Sequence, residues 1–392
     1  MTLQGGDAVL CVATPDPDSP AETFVRQHIR RVAPGRTVVL YFRGHAEALD
    51  GVPALKAPRP SDRPAIEAWL GKAVSTLVHG YPGVVSGRSA DQVERFFRKN
   101  RVTAVLAEFG SMGNAVAPIC CRLGIRLVVN FHGHDATTQA QRPIIRRAYR
   151  ALNRSGAAFV CGSMYFSKVL AGLGFDGDRI FVVPCGIETE AFIPDRAKDP
   201  DLVIAVGRFV EKKRPDLSIR AFAQALQERP TARLEMIGDG LLLPACRELV
   251  REMGLADRVI FHGSRPHDFV IDRLSRAALF IQHSVVAPNG DTESQGISLL
   301  EAMASEVPVV ATRHNGFTET VVEGETGFLV EERDTGAMAV RMGSILNDPT
   351  LRAAMGQAGR ERVLRLYAAE LQAAKLRAIL FPVDRGEAGS RS

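Results

Sequence analysis

The sequence predicts an α/β protein of two doubly wound domains, on three observations. Short, mostly apolar runs alternate with stretches of helical period. The alternation occurs twice. The two series are separated by Glu188–Pro200 (ETEAFIPDRAKDP), a charged stretch broken by prolines and without sustained period. Short apolar runs without strict alternation suit strands covered on both faces, as in parallel sheets. Strands alternating with helices build such sheets with helices on each side, the Rossmann-like arrangement.

In the first half the strand candidates are Ala8–Ala13, Thr37–Tyr41, Thr103–Ala107, Arg126–Asn130, Ala157–Cys161 and Ile180–Val183. In the second half they are Leu202–Val206, Arg233–Ile237, Arg258–Phe261, Ala278–Ile281, Val307–Ala311 and Gly327–Val330. Helical period marks Leu217–Leu226, Leu242–Met253 and Gly296–Ala304 between them. Val363, Leu364, Tyr367, Leu371, Leu376 and Ile379 give Arg360–Leu380 the spacing of a final helix. The expected division is 1–190 and 191–362, two Rossmann-like domains. In the remaining 363–392, a helix is expected to return to the first domain, followed by a frayed polar tail at Val383–Ser392. A hinge between two such domains leaves a cleft at the C-terminal strand ends, where ligands of these sheets bind.

At 392 residues, with 46% hydrophobic and 24% charged, the chain can bury a core in each of two domains. Lys and Arg number 49 against 44 Asp and Glu, a net +5 that suits anionic partners or simple solubility equally well. Six cysteines, Cys11, Cys120, Cys121, Cys161, Cys185 and Cys246, form no CxxC pair, and several lie in apolar runs. Buried reduced thiols are expected, and zinc is not. Met1–Asp7 lacks a signal-peptide pattern, and no apolar run approaches the ~18–20 residues of a membrane span. A cytoplasmic chain with at most peripheral membrane contact follows. Nucleic-acid binding is disfavoured by the modest charge and the lack of an aromatic-basic motif.

The richest segment is Asn289–Glu301, NGDTESQGISLLE. A strand leads into a polar loop, and a helix starts near Gly296. The first amides of that helix, at Gly296, Ile297 and Ser298, together with its dipole, make an anion site suited to a diphosphate. Glu293 in the loop and Glu301 in the helix are acceptors for hydroxyls on either side of such a phosphate. The alternative is a capping box at Ser298-Leu-Leu-Glu301 that needs no ligand. A second segment, Val206–Phe222, ends a strand at Gly207 and places Arg208 and Lys213 in the following turn. Two cations there can neutralise a leaving diphosphate, although the run Lys212–Arg214 also reads as a solvated basic turn.

Together the two segments resemble the retaining glycosyltransferases of family 4, which have the two-domain GT-B fold. Glu293 and Glu301 match the family's E-x7-E motif, and Gly207, Arg208 and Lys213 its G-R-x5-K pattern. Gly290–Val321, Val183–Pro194 and Met236–Gly240 extend the match. Ser19–Ile29 and Asn130–Thr137 look like a bacterial exopolysaccharide or colanic-acid-type branch. The resemblance implies that Arg208 and Lys213 bind the donor diphosphate, Glu293 the transferred sugar and Glu301 the ribose. It also implies that amides at Gly296–Ser298 assist the phosphates, that Gly263, Ser264 and Arg265 lie near the base, and that His132 reaches the sugar from the first domain. Catalytic weight then falls on Glu293, Lys213, Arg208 and His132. The implied reaction is hexose transfer from a UDP- or GDP-sugar to a glycan, lipid-linked or small-molecule acceptor, with no metal or other cofactor. The other readings are a nucleotide-sugar-binding protein without turnover, or a retaining phosphorylase or epimerase on the same fold. The chain departs from the family at Arg214 and Glu306, where glycine is usual.

Weaker candidates complete the reading. His134 and Asp135 suit a cap of the next helix or a ligand contact equally. His283 and Ser284 follow a strand, where loop packing and donor contact are both open. Asp16-Pro-Asp18, Asp176-Gly-Asp178 and Asp199-Pro-Asp201 spell DxD but sit in Pro/Gly turns, so a turn role is expected. The basic stretches Arg142–Arg150 and Arg95–Arg101 suit a solvated helix face or an anionic lipid surface.

Overall fold

The structure is a computed structural model. It describes residues 8–19, 23–46, 49, 51–58, 73, 75–76, 81, 83–194 and 197–382. The N-terminal stretch to Asp7, the tail from Val383, part of Ser19–Ile29 and part of the linker stretch lie outside the described residues. The chain divides into two compact units, one of residues 1–184 with 370–392 and one of residues 185–369.

In the first unit the strands are β1 (Val9–Thr14), β2 (Thr37–Tyr41), β3 (Ala54–Lys56), β4 (Val102–Glu108), β5 (Arg126–Phe131), β6 (Ala158–Cys161) and β7 (Ile180–Val182). They pair in parallel in the order β3-β2-β1-β4-β5-β6-β7. The helices are α1 (Thr23–Arg31), α2 (Arg88–Lys99), α3 (Gly110–Leu123), α4 (Pro143–Arg154) and α5 (Met164–Gly172). Gly124, in the left-handed conformation at φ 65°, closes α3. The sheet's topological switch point lies between β1 and β4. β3 is the strand that the sequence pattern misses. It is a three-residue edge strand with Ala54 and Lys56 exposed, too short and too polar to stand out as an apolar run.

In the second unit the strands are β8 (Leu202–Val206), β9 (Arg233–Ile237), β10 (Val259–Gly263), β11 (Leu279–Gln282), β12 (Val309–Thr312) and β13 (Gly327–Val330). All pairs are parallel, in the order β10-β9-β8-β11-β12-β13. Leu234, Ile281 and Val310 face one apolar layer, while Ile204, Phe280 and Val309 face the other. Covering on both faces is why these strands read as continuous apolar runs. The helices are α6 (Pro215–Ala225), α7 (Leu243–Glu252), α8 (His267–Arg276), α9 (Ile297–Ala304), α10 (Phe317–Thr320), α11 (Thr335–Asn347), α12 (Pro349–Leu366) and, continuing into the first unit, α13 (Ala369–Leu380). Asp334 and Asp348 cap α11 and α12 by accepting the amides of Ala337 and Leu351.

The single final helix expected over Arg360–Leu380 is two helices. The chain leaves helical geometry at Tyr367–Ala368 to pair with Ile187, whose amide donates to the Tyr367 carbonyl at 2.8 Å. α13 packs within the first unit, where Arg377 donates to the Val32 and Arg31 carbonyls and Arg126 to that of Ile379. No helix among the described residues is long and apolar enough to cross a membrane.

Candidate active site

The second sheet reverses its strand order between β8 and β11, and both sequence segments singled out above leave from those strands. The turn after β8 carries Gly207, Arg208 and the 3-10 segment Glu211–Lys213. The loop after β11 carries His283 to Gly296 and runs into α9. Parallel pairing of β8 with β11 brings the two loops together at the C-terminal ends of these central strands, the usual ligand position of such sheets.

Their meeting point is Glu293. Its Oε2 lies 3.0 Å from Lys213 Nζ and its Oε1 3.2 Å from Lys212 Nζ, with the carboxylate side chain only 13% exposed. Burial pushes the Glu293 carboxyl up, but Lys213 and Lys212 outweigh it and hold it down to about 2. Burial lowers the Lys213 ammonium, Glu293 opposes that, and the charges of Lys212 and Arg208 add to the lowering. Arg208 is exposed beyond them.

The backbone of Glu293 is held from the far side by His314 and Asn315. The Glu293 amide donates to His314 Nε2 at 3.2 Å, so that nitrogen is the acceptor. The proton sits on Nδ1 and is donated to Glu332 Oε1 at 2.5 Å. Burial lowers the His314 pKa, in keeping with a neutral ring. Asn315 Nδ2 donates to the Glu293 carbonyl at 3.1 Å.

α9 begins at Gly296, in the left-handed conformation at φ 76°, with no side-chain cap. A Cβ there would meet Phe317 Cε1 at 2.5 Å, so both backbone and packing require glycine. The capping-box alternative is thereby excluded. Ser298 lies inside the helix, where its hydroxyl donates to Gln282 Oε1 at 2.8 Å, and Glu301 turns elsewhere. The amides of the first turn, at Ile297 and Ser298, have no acceptor within the helix. Glu301 Oε1 lies 3.0 Å from His267 Nε2, at the start of α8. The bond to Glu301 raises the His267 pKa against the opposing effect of burial. Gly263, Ser264 and Arg265 form the turn that leads to His267, and the Arg265 guanidinium lies over the Phe269 ring, 5.2 Å from its centroid.

The basic run Lys212–Arg214 is not a solvated turn. Lys212 is buried at 7% exposure, and Arg214 holds Asp216 in a two-point contact at 2.9 and 2.7 Å. Arg214 and Glu306 both adopt the left-handed conformation, at φ 36° and 55°. The chain thus keeps a backbone suited to glycine at both departures from the family, at a cost in strain.

In the first unit the corresponding strand end is that of β4, beside the switch point. Glu108 is fully buried there. His28 Nδ1 lies 2.6 Å from one of its oxygens and His132 Nε2 2.8 Å from the other. Burial raises the Glu108 carboxyl, and His28 and His132 bring it down to about 2. The His132 ring stacks on Phe24 with centroids 4.1 Å apart. Asp135 caps α3 through the Gly110 amide at 2.9 Å and accepts the His132 amide at 3.0 Å. Asp135 therefore caps α3, which precedes it in the chain, and not the next helix as expected, while His134 is exposed outside the cluster. Sequence reasoning named His132 but missed Glu108 and His28, and it missed Lys212, His267 and His314 in the second unit. Glu108 and His267 carry no local signal; His28, Lys212 and His314 lie within stretches the sequence analysis singled out, but nothing in a short window shows which carboxylate or amide each one meets.

The remaining candidates resolve plainly. His283 is buried and its Nε2 accepts the Arg333 amide, while the Thr312 hydroxyl accepts the Ser284 amide and donates to the Ser284 carbonyl. Both serve loop packing. In each DxD the first aspartate accepts the amide of the second, a turn contact. All six cysteines are free, Cys121 is exposed and Cys185 half-buried. Among the described residues no group of three or more His, Cys, Asp or Glu could hold a metal ion.

Two doubly wound parallel sheets in one chain, the second bearing this carboxylate–lysine site at its switch point, are the build of the GT-B class of glycosyltransferases. The family described as glycosyl transferases group 1 matches residues 186–362, and that described as Glycosyltransferase Family 4 matches residues 37–191. A GDP-mannose-dependent alpha-(1-6)-phosphatidylinositol monomannoside mannosyltransferase of Mycolicibacterium smegmatis is 30% identical over 278 residues, 68% of this chain and 72% of that enzyme. WcaL of Escherichia coli, a glycosyltransferase assigned to colanic acid biosynthesis, is 30% identical over 248 residues, 62% of this chain and 61% of that protein. Among solved structures, Anabaena Alr3699/HepE in complex with UDP and glucose superposes with a TM-score of 0.76 at 17% identity, covering 95% of this chain and 99% of that one. The chain belongs to the GT-B glycosyltransferases related to the family 4 and group 1 enzymes, which include colanic-acid-type and mannosyltransferase members.

Proposed function

We propose that this glycosyltransferase moves a hexose from a UDP- or GDP-sugar to a sugar-containing or lipid-linked acceptor, with retention at the anomeric carbon and without a required divalent ion. The observation that carries this reading is the Glu293–Lys213 contact beside the N-terminus of α9. Lys213, Arg208 and the amides of Gly296, Ile297 and Ser298 receive the diphosphate. Their preorganised positive charge stabilises the negative charge that grows on the leaving group. Glu293 is ionised and accepts hydroxyl protons of the transferred sugar. Glu301 exchanges its His267 contact for the ribose hydroxyls, and the turn Gly263, Ser264 and Arg265 adjoins the base. His132, held by Glu108, is the first unit's candidate for contact with the sugar. The bond from the anomeric carbon to the leaving oxygen breaks through an oxocarbenium-like transition state. The acceptor hydroxyl attacks from the same face and gives its proton to the departing phosphate oxygen.

The GDP-mannose dependence of the mycobacterial relative and the UDP and glucose bound to HepE support a nucleotide-sugar donor. The exposed arginines of α4, Arg146, Arg147, Arg150 and Arg154, support peripheral contact with an anionic inner-membrane face. The test is a panel of UDP-, GDP- and ADP-sugars in thermal unfolding. A ligand at 100 times its Kd stabilises by about 2.7 kcal/mol, which raises the melting temperature of a unit this size by roughly 5–10 °C. The matching donor must then yield free nucleoside diphosphate when an acceptor is supplied, with EDTA present. A panel without any shift refutes the donor site, and binding without turnover refutes the transfer.

A further inference from the structure

Two segments of the second unit, the turn after β8 and the loop after β11, meet at one buried ammonium. Lys212 Nζ lies 3.2 Å from Asp291 Oδ1, from the Thr292 carbonyl and from Glu293 Oε1. Three N–H groups thus meet three acceptors, the condition for tolerating a buried ammonium. The Lys212 carbonyl also accepts the Val285 amide at 2.8 Å, tying the turn after β8 to the loop after β11. Lys213, its neighbour in sequence, approaches the other Glu293 oxygen and lies beside Gly207, whose built-on Cβ would stand 3.5 Å from Lys213 Cε. The two lysines divide one carboxylate between them. Lys213 stands toward the proposed diphosphate, while Lys212 is committed to the interior.

We propose that Lys212 is a positioning residue for the donor, the permanent counter-ion that keeps Glu293 ionised and aimed while Lys213 passes from Glu293 to the diphosphate. This rests on the donor-site reading given above. A diphosphate that takes Lys213 removes one of the two cations on a buried carboxylate. With Lys212 in place, one full-contact cation remains. Without it, Glu293 either keeps Lys213 from the ligand or takes up a proton when the ligand binds. The charged groups around Glu293 are Lys212 and Lys213 from the turn after β8, Arg208 beyond them, Asp291 on its own loop, and neutral His314 backed by Glu332. Of these, Glu293 is the group left without a partner by the loss of both lysine contacts.

The experiment is titration calorimetry of UDP and GDP against the full chain at pH 7, in two buffers of different ionisation enthalpy, for wild type and Lys212→Met. The variant is expected to bind ~10-fold or more weakly and to take up about one proton more than wild type on binding. Adding Glu293→Gln to Lys212→Met should abolish that extra proton. An equal loss of affinity with no extra proton means that Lys212 only stabilises the loops and overturns the proposal. If wild type binds neither nucleotide, the donor-site reading falls and takes the proposal with it. If wild type binds and the variant matches it, only the role of Lys212 falls. Should Lys212→Met fail to fold, wild type is compared with Glu293→Gln alone. Equal proton counts are expected, and a larger uptake by wild type overturns the proposal.

Discussion

Replacing Lys213 by Ala strikes the proposed diphosphate site at its centre. The Lys213 ammonium lies 3.0 Å from Glu293 Oε2, and its side chain is only 14% exposed. A hydrogen bond to a charged group contributes about 1.5–3 kcal/mol. A bound diphosphate gains such a bond while Glu293 loses one, so the ground state gains only the difference, on the order of 1 kcal/mol, or about fivefold in affinity. The transition state differs, because charge grows on the leaving oxygen while Lys213 is already in place. Removing one such preorganised donor typically costs ~100–1,000-fold in kcat. The variant should therefore bind nucleoside diphosphate about 3–10-fold more weakly while turnover falls by about 100-fold or more. Release of nucleoside diphosphate under saturating donor, beside calorimetric binding of the product, separates the two effects. Near-normal turnover removes Lys213 from the chemistry. A loss confined to KM makes it a uniform binding contact and refutes the differential argument.

Gly296→Ala forces a left-handed alanine whose Cβ meets Phe317 at 2.5 Å. The two penalties together should destabilise the second unit by about 2–4 kcal/mol in urea unfolding. Glu306→Gly relieves the positive φ of 55° at the end of α9. After the added chain entropy of glycine, it should raise stability by about 0.5–1 kcal/mol, readable as a higher melting temperature. Glu293 and Glu108 both titrate near 2, below the ordinary 4.5. A depressed carboxyl stabilises the fold above its unfolded value and loses that contribution as pH falls through its folded one. Urea stability should therefore drop between about pH 4.5 and 2, by roughly 3 kcal/mol per group. Asp135, raised by burial, works in the opposite direction, but it is one group against two. Flat acid stability over that range would contradict both buried networks.

Most of the architecture is legible in the chain itself. The runs at Leu202–Val206, Arg233–Ile237 and Gly327–Val330 coincide with β8, β9 and β13, because a strand buried on both faces is mostly apolar, Glu235 in β9 being buried against Arg273 and His262. Glu293, Glu301, Arg208 and Lys213 stand out in the sequence as candidates because their spacing within two segments resembles a known pattern. Arg214 and Glu306 looked like breaks in that pattern, and the backbone answers them by accepting left-handed angles at non-glycine residues. Lys212 and Lys213 are adjacent, basic and alike in sequence, yet the turn after β8 gives Lys212 to Asp291, Thr292 and one Glu293 oxygen, and Lys213 to the other Glu293 oxygen. Glu108 and its two histidines come from three separate elements, and no window of sequence contains them together.

The sequence by itself determined most of the strands and helices, β3 and the break at Tyr367–Ala368 apart, and which residue types could hold a diphosphate sugar, since periodicity and spacing are properties of short windows. Tertiary structure decided which of those residues meet. Lys213 and Glu293 are 80 residues apart and touch only because β8 lies next to β11 in the sheet. That strand order, and the burial that goes with it, turns a basic turn and a polar loop into a carboxylate divided between two lysines.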